Sequence, residues 1–498
     1  MEAFHASKLS SWPERALNHV LQFVAPETCT LETQGSDATR SRGPIIPQGV
    51  CLLRQDASAI RAMRVGADGV GPRAQGLGAA IWSQLFLRVA SSAGLLVIGS
   101  YLVDLHDRGA GVTSLLVGLL TALVYVTEVL VAPLAGALSD ARGRKVFMLA
   151  GPALSALAVV LIPLGSLGAA LPPLALVLTL VGAARLVEGL GSALAVPATL
   201  GLLAEGTDDR RLQRGRQMSL FELASSSGLA LGAVLGPVLW QRLHLFAFVV
   251  LAALYLGASA VVSLVHEAPR VERRGGTVDP RRLRAILASR RLALFIPAWI
   301  AANAIVGVWF TAQIAFVLTA RLHVPDQRFV GSLHGRPGQL SAVLGGYVLW
   351  FSLCVVVWAV ALGRLPRLPT LLVTVFGSVV ASGALIALNH GAAPVAFIPL
   401  VLLGVFLEAG FTPAALAYLA DASRAFARDR GLLMGLYSVI LGVGQLIGNV
   451  LGGVFAQAAY FDGLASLTIL LAVVAMGAVL LLLVTERRQQ RHAALVHS

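Results

Sequence analysis

The chain has 498 residues, of which 57% are hydrophobic and only 13% are charged, and its mean hydropathy is +0.80. About a quarter of the residues of a soluble globular protein are charged, and disordered proteins are poor in apolar residues, so both classes are excluded. The net charge of +13 does not indicate a nucleic-acid-binding protein, because the basic residues lie between apolar runs. The composition predicts a membrane protein with many spans.

Residues 1–79 differ from the rest, because they are polar and contain no apolar run long enough to cross a membrane. We expect them to form a disordered cytoplasmic extension, or to be an over-extended start with true initiation near Met63; a regulatory domain is the alternative. The three cysteines are too few and too scattered for a disulfide framework or a zinc site, so no metal is expected.

From residue 80 onward, twelve apolar runs recur, each close to the roughly 20 residues that span a bilayer. Since lipid offers no hydrogen bonds to the backbone, each run is predicted to be a helix. The predicted fold is an all-α membrane protein with twelve transmembrane helices in two pseudo-symmetric six-helix bundles. The bundles are expected at 80–265 and 291–485, joined by a basic cytoplasmic linker at 266–290 and followed by a cytoplasmic tail at 486–498.

Lysine and arginine are distributed unequally between the two sides of the predicted membrane. The connections on one side, together with the tail, contain 23 of these residues, whereas the connections on the other side contain five. Basic residues accumulate on the cytoplasmic side of membrane proteins. Both termini are therefore predicted to be cytoplasmic, and the expected location is the plasma membrane.

An internal repeat supports the division into two bundles. A shift of 216 residues aligns Pro197 with Pro413 and Arg214 with Arg430. The same shift aligns two glycine triplets, which are Gly228, Gly232 and Gly236 in the first half and Gly444, Gly448 and Gly452 in the second half. Repeated halves are a common architecture of secondary transporters.

The connection between the second and third spans carries a motif of small and charged residues. Its members are Gly136, Asp140, Arg142, Gly143, Arg144 and Lys145. Gly143 permits a tight turn, and the charges of Asp140 and Arg144 can pair with opposite charges or with helix ends.

This motif resembles the loop 2–3 signature of the major facilitator superfamily, Gly-x-Leu-x-Asp-x-x-Gly-Arg-Lys/Arg, and the resemblance extends over residues 80–485. It implies a transporter rather than an enzyme. It also implies that the motif residues act in gating, with Asp140 and Arg144 in a breakable cytoplasmic lock between the two halves. The alternative is a loop that is basic for topology only.

The fourth span contains Arg185 and Glu188, which share a helix face because they are three residues apart. Charges at mid-span are costly and usually face a partner or a wet cavity. The family pattern here is Arg-x-x-Gln-Gly, which is linked to proton coupling. Arg185 and Gly189 match this pattern, but Glu188 replaces the glutamine. Glu188 is either a titratable acid or a static partner of Arg185.

The glycine triplet of the fifth span is followed by Pro237, and its spacing of four residues allows close helix packing. The arrangement resembles the Gly-x-x-x-Gly-Pro motif of exporters in the same family, and implies a drug/proton antiporter-like exporter. Trp240 and Gln241 depart from that motif, which normally has two glycines at these positions. Simple helix packing, as in the second triplet, is the alternative.

Further ionisable residues lie inside spans. Arg88 and Glu128 are predicted at similar depths and are candidates for a pair, and Glu408 lies in the middle of the tenth span. A carboxyl group in an apolar site binds a proton readily. We therefore expect Glu128, Glu188 or Glu408 to carry a coupling proton, although each could instead belong to a structural pair. Arg88 and Arg185 are the further candidates for proton coupling. Glu222 is interpreted as a charge near the start of the fifth span.

Four amides lie in the seventh and eleventh spans, which line the central cavity in the resembled family. They are Asn303, Gln313, Gln445 and Asn449. They are candidates for substrate contact, and hydrogen bonding between helices is the alternative. The sequence contains no phosphate-binding Gly-Lys-Ser/Thr loop, so ATP-driven transport is not supported.

The function expected from these features is proton-coupled export of small amphipathic compounds by alternating access, with the transmembrane proton gradient as energy source and no cofactor. The expected partners are the lipid bilayer, a small-molecule substrate and protons, without nucleic acid, and the chain is expected to act as a monomer. Uptake by a symporter or uniporter of the same fold is the first alternative. A membrane-embedded lipid-processing enzyme is the second, and would need clustered Asp or His residues at a membrane face.

Overall fold

The computed structural model describes residues 72–166, 173–205, 211–265, 289–309, 311–362, 365–423 and 430–497. These ranges contain α-helices, one short 3-10 turn and no strand. The helices are α1 (Pro72–Asp107), α2 (Ser114–Arg142), α3 (Arg144–Leu164), α4 (Leu174–Glu205), α5 (Arg211–Leu243), α6 (Ala247–Ser263), α7 (Arg290–Trp309), α8 (Ala312–Thr319), α9 (Pro337–Ala361), α10 (Arg367–Asn389), α11 (Pro394–Glu408), α12 (Phe411–Ser423) and α13 (Arg430–His497). Most of the predicted extension at 1–79 and of the predicted linker at 266–290 lies outside the described residues.

Ten described stretches are long and apolar enough to cross a membrane, and two of them contain a chain reversal. Leu220–Ser263 reverses at the 3-10 turn after α5, where His244 has a φ of 48°. Val439–Gln489 reverses inside α13 at Tyr460, which has a φ of 50°. The prediction of an all-α protein with twelve transmembrane helices is confirmed.

Successive crossings are antiparallel, so the connections alternate between two ends of the molecule. We call the end that holds Gly143 the Gly143 end, and it also holds the ends of α4, α6, α9 and α12. We call the end that holds residues 107–114 the Gly109 end, and it also holds the 319–337 connection and the turns at 389–394 and 459–461. Two crossings of the second half are built from two helices each, because the chain breaks between α7 and α8 and between α11 and α12.

Each half of the molecule has its own apolar core. The core of the first bundle, α1–α6, includes Tyr101 and Phe248, whose rings meet edge to face at 5.8 Å. The core of the second bundle, α7–α13, includes Trp299 and Phe411, whose rings stack at 6.0 Å. Apolar residues at nearly every position allow these helices to be buried against protein on one side and lipid on the other.

The two glycine triplets occupy equivalent packing positions in the two bundles. The triplet of α5 lies on α1. A Cβ atom at Gly228 would lie 2.6 Å from Arg88 Cβ, and a Cβ atom at Gly236 would lie 2.7 Å from the Ala93 carbonyl oxygen. The triplet of α13 lies on α7 and the start of α8, where Gly444 lies against Asn303, Gly448 against the Ala304 backbone and Gly452 against Gln313. Gly189 of α4 lies in the same way against the Val124 backbone of α2. Close backbone approach therefore holds the central helices together.

Candidate functional site

The interior of the first bundle contains a group of charges around Tyr125 of α2. Arg88 of α1, Glu128 of α2, and Arg185 and Glu188 of α4 all interact electrostatically with this phenol. Isolated charges are costly inside a membrane, and grouping opposite charges lowers that cost. The three helices therefore bring together four of the five residues proposed from the sequence for proton coupling.

Within this group, Glu188 is held on both carboxylate oxygens. Arg185 Nη1 donates a hydrogen bond to Glu188 Oε2, and the hydroxyl of Tyr255 on α6 donates to Glu188 Oε1 at 2.5 Å. Arg185 and Glu188 are only 1% and 3% exposed. Of the two alternatives left by the sequence, this geometry favours the static pair.

Glu128 is placed differently, because it has no direct ion pair within the described residues. It interacts with the charge of Arg88 at longer range, and the Ser192 hydroxyl of α4 is within hydrogen-bonding reach. The Nε atom of Arg88 is buried without a hydrogen-bond partner. Similar depth along two helices did not create a contact between Arg88 and Glu128, since contact also depends on how each helix is rotated about its axis.

Arg88 also interacts with Glu222 of α5. α5 begins at Arg211, but its membrane-spanning stretch begins at Leu220, so Glu222 lies near the start of the fifth span, and its side chain is exposed. Glu222 is therefore not one of the buried charges of the interior group.

In the second bundle, Glu408 is the last residue of α11 and stands at the break before α12. The side chain of Ser378 on α10 is a hydrogen-bonding neighbour, and the described residues include no ion-pair partner for Glu408. Trp358 of α9 stabilises the break, because its ring lies against Gly410 and its Nε1 donates to the Phe406 carbonyl at 2.7 Å. A helix end leaves such carbonyls without intrahelical partners.

The four amides proposed for substrate contact take part in helix packing. Gln313 Nε2 of α8 donates to the Asn449 carbonyl of α13 at 2.6 Å, and both residues are fully buried. Asn303 Nδ2 donates to the Trp299 carbonyl of its own helix, and the Gln445 backbone lies against Gly307. The Oδ1 atom of Asn449 is buried without a partner. Among the described hydrogen bonds of these amides, that of Gln313 joins two helices, whereas Asn303 and Asn449 donate to carbonyls of their own helices. The alternative of hydrogen bonding between helices is therefore supported for Gln313.

The gating motif forms the turn between α2 and α3. Gly143 has a φ of 102°, which favours glycine, and it is the last residue before α3. The guanidinium of Arg144 lies against Gly201 of α4, and Lys145 Nζ donates to the Ser263 carbonyl at the end of α6 at 2.8 Å. Both basic residues therefore contact the first bundle itself.

The other motif residues are less informative. Arg142 is exposed. A Cβ atom at Gly136 would lie 3.5 Å from Pro197 Cβ, which is an ordinary van der Waals contact. The side chain of Asp140 lies outside the described residues. The lock between the halves stays a prediction.

Two tyrosines of the interior group were missed from the sequence. Tyr125 is three residues before Glu128, the same spacing as Arg185 and Glu188, and this spacing could have revealed it. Tyr255 has no such signal, because it reaches Glu188 from a helix 67 residues later in the chain.

Comparison with known proteins shows what the chain is similar to. The sequence model of the Major Facilitator Superfamily matches residues 81–325 and 324–497. No protein with a curated description matches the chain by sequence.

Among solved structures, a mutant form of the nucleoside transporter NupG aligns with a TM-score of 0.63 and 11% identity over 83% of this chain and 99% of that chain. Unmutated NupG aligns with a TM-score of 0.60 and 13% identity over 83% of this chain and 98% of that chain. A bacterial homologue of the human drug peptide transporters PepT1 and PepT2 aligns with a TM-score of 0.57 and 16% identity over 84% of this chain and 99% of that chain.

At these identities the structures show a shared fold, and the sequence model covers both bundles. The predicted resemblance is confirmed. The chain belongs to the Major Facilitator Superfamily, and it is a multi-pass membrane transporter for a small molecule rather than an enzyme.

Proposed function

We propose that the protein couples proton movement to the export of small amphipathic compounds, and that its two bundles rock to expose a central site alternately to each side. Glu128 carries this proposal, because it is an interior carboxylate with no direct ion pair among the described residues, next to Arg88 with its unsatisfied Nε atom. A carboxylate held in this way can gain and lose a proton without breaking a buried pair.

The proposed coupling step is an exchange of proton and substrate. Protonation of Glu128 removes one negative charge from the interior, so the attraction between Glu128 and Arg88 is lost and Arg88 gains freedom to interact elsewhere. Release of the proton on the other side restores that attraction. Because the charge balance differs between the two states, a proton gradient can bias which way the bundles face.

We infer the orientation from charge, with the Gly143 end and both termini in the cytoplasm of a plasma-membrane protein that acts as a monomer. The 23 basic residues of that side, against five on the other, support this orientation. The Gly109 end then faces outward, and the exporter-like motif of α5 leads toward it.

Proton-coupled uptake is the second candidate function. Trp240 and Gln241 occupy the two positions where the exporter motif continues with glycine, so the motif is incomplete in this chain. The interior charges are equally suited to a symporter, since the same carboxylate can carry a proton in the direction of the substrate.

Transport in proteoliposomes with an imposed pH gradient tests both candidates. The substrate panel should contain amphipathic cations, matched neutral compounds, nucleosides and short peptides. We expect Glu128→Gln to abolish the acceleration of transport by the gradient while substrate exchange without a gradient continues. Glu188→Gln and Glu408→Gln are the companion variants, and the direction of gradient-driven flux separates export from uptake. Unchanged gradient-driven transport in Glu128→Gln would overturn the assignment of Glu128.

A further inference from the structure

The described hydrogen bonds and ion pairs between the two bundles converge on one carboxylate at the Gly109 end. Asp107, the last residue of α1, accepts a hydrogen bond at Oδ1 from the backbone N–H of Arg321 at 2.7 Å. Its Oδ2 lies 3.3 Å from Nδ1 of His334. Arg321 and His334 both belong to the 319–337 connection of the second bundle. One side chain of the first bundle thus holds both ends of a connection in the second.

Below this contact, the two bundles meet with almost no space between their backbones. A side chain at Gly118 of α2 would contact Gln313, and it would approach the Asn449 carbonyl to 2.7 Å and Gly453 Cα to 2.8 Å. A side chain at Gly99 of α1 would approach Ala312 to 3.0 Å. The Gly109 end is therefore closed in this structure.

Burial separates Asp107 from an ordinary surface carboxylate. Its side chain is 17% exposed, whereas that of His334 is 38% exposed. The next carboxylate on α1, Asp104, is more exposed and pairs with Arg108 of its own helix at 2.6 Å. Of these two acids at the end of α1, Asp107 therefore contacts the second bundle, whereas Asp104 pairs within its own helix.

We propose that Asp107 is a latch that holds the Gly109 end closed through its contacts with Arg321 and His334. Hydrogen bonds accepted by a carboxylate are about twice as strong as those between neutral groups. Opening this end separates the bundles and so breaks both contacts of Asp107. The inference rests on the alternating access proposed above, and it does not depend on the direction of transport or on Glu128.

The Gly109 end also becomes a route to buried polar groups when it opens. We call the close contact between the two bundles around Gly99 and Gly118 the seam, and Gln313 and Asn449 lie at it. The Asn449 Oδ1 atom has no hydrogen-bond partner in this closed structure. Opening the latch would expose these amides to the cavity. The latch thus controls when they can contact a substrate.

Distance measurements between spin labels on the two bundles test the latch. The full chain, with its three native cysteines replaced, receives labels at Leu176→Cys on α4 and Val395→Cys on α11, both exposed positions near the Gly109 end. We expect Asp107→Asn to change the ratio of short to long distances roughly tenfold in favour of the long ones. Asp107→Glu keeps the carboxylate and should restore part of the short-distance population, and Asp104→Asn is the control that should leave the ratio unchanged.

A second variant tests the other contact of Asp107. His334→Ala removes the group that lies 3.3 Å from Asp107 Oδ2, so it should shift the ratio toward long distances. An unchanged ratio in His334→Ala would overturn the role of His334.

A wedge variant separates failure of the latch from failure of alternating access. Gly118→Phe places a ring between the two bundles at the seam, so it should lengthen the distance between the labels whether or not Asp107 acts as a latch. If Gly118→Phe lengthens the distance but Asp107→Asn does not, Asp107 is not a latch although the bundles still separate. If neither variant lengthens it, the alternating-access proposal itself is wrong.

Discussion

At the scale of single residues, the interior glutamates differ in the contacts that hold them. Glu188 accepts hydrogen bonds from Arg185 and Tyr255 and is almost completely buried. Glu128 interacts with Arg88 only at longer range. A group that exchanges protons during each transport cycle must change its partners easily. These contacts support the proposal that Glu128, rather than Glu188, carries the coupling proton.

We expect Glu188→Gln to lower the thermal stability of the purified protein more than Glu128→Gln does. The first variant leaves the Arg185 charge buried without its counter-ion, and breaking a buried pair in this way costs about 3 kcal/mol. Unfolding temperatures measured in one detergent provide the comparison.

The double variant Arg185→Met with Glu188→Leu is the control for that experiment. It removes both charges, so it should recover most of the lost stability. Equal unfolding temperatures for Glu188→Gln and Glu128→Gln would contradict the structural role of Glu188.

At the scale of helices, glycine triplets decide how closely the central helices approach. The triplet of α5 on α1 and the triplet of α13 on α7 make the same kind of backbone contact in the two bundles. This equivalence explains why a 216-residue shift aligns both triplets, although the charged residues of the two halves differ. The two halves share this packing, whereas the interior charges are concentrated in the first.

Gly448→Ala should destabilise the second bundle, because the added methyl group would contact the Ala304 backbone, which cannot move aside. Forcing an extra methyl group into a close-packed contact costs about 1–3 kcal/mol. Gly346→Ala on α9 is the matched control, since nothing lies within 4 Å of a Cβ atom at Gly346. Unfolding temperatures should fall for the first variant only, and a similar fall for both would point to an effect other than packing.

At the scale of the whole molecule, the two bundles make different contacts at the two ends of the membrane. At the Gly109 end they meet through the seam at Gly118 and the Asp107 contacts. At the Gly143 end, the described contacts of Lys145 and of Glu486 stay within one bundle, with Ser263 and with Arg291 respectively. The structure is that of a transporter closed at the Gly109 end.

The proposed orientation predicts which end reagents reach from outside the cell. In a chain without native cysteines, Arg242→Cys at the Gly109 end should react with a membrane-impermeant maleimide on intact cells. Ala141→Cys at the Gly143 end should react only after the cells are opened. Both positions are exposed in the structure, so different labelling reflects the side of the membrane. The reverse pattern would invert the orientation.

Local composition was sufficient to predict the number of crossings and the division into two halves. Whether a run of about 20 residues enters a bilayer depends mainly on its own side chains, because the backbone must satisfy its hydrogen bonds within the helix. The same is true of the glycine triplets and of the turn at Gly143, whose signals are short and regular. For this reason the all-α fold and the family could be inferred before any contact was known.

The partners of the charged side chains could not be inferred in this way. Arg185 and Glu188 are three residues apart on one helix, and their proximity was predicted, but Tyr255 reaches Glu188 from another helix. Asp107 and Arg321 are 214 residues apart in the chain, and nothing in either segment indicates the other. Such contacts depend on how each helix is rotated and how the bundles are docked, which is a property of all the packed side chains together.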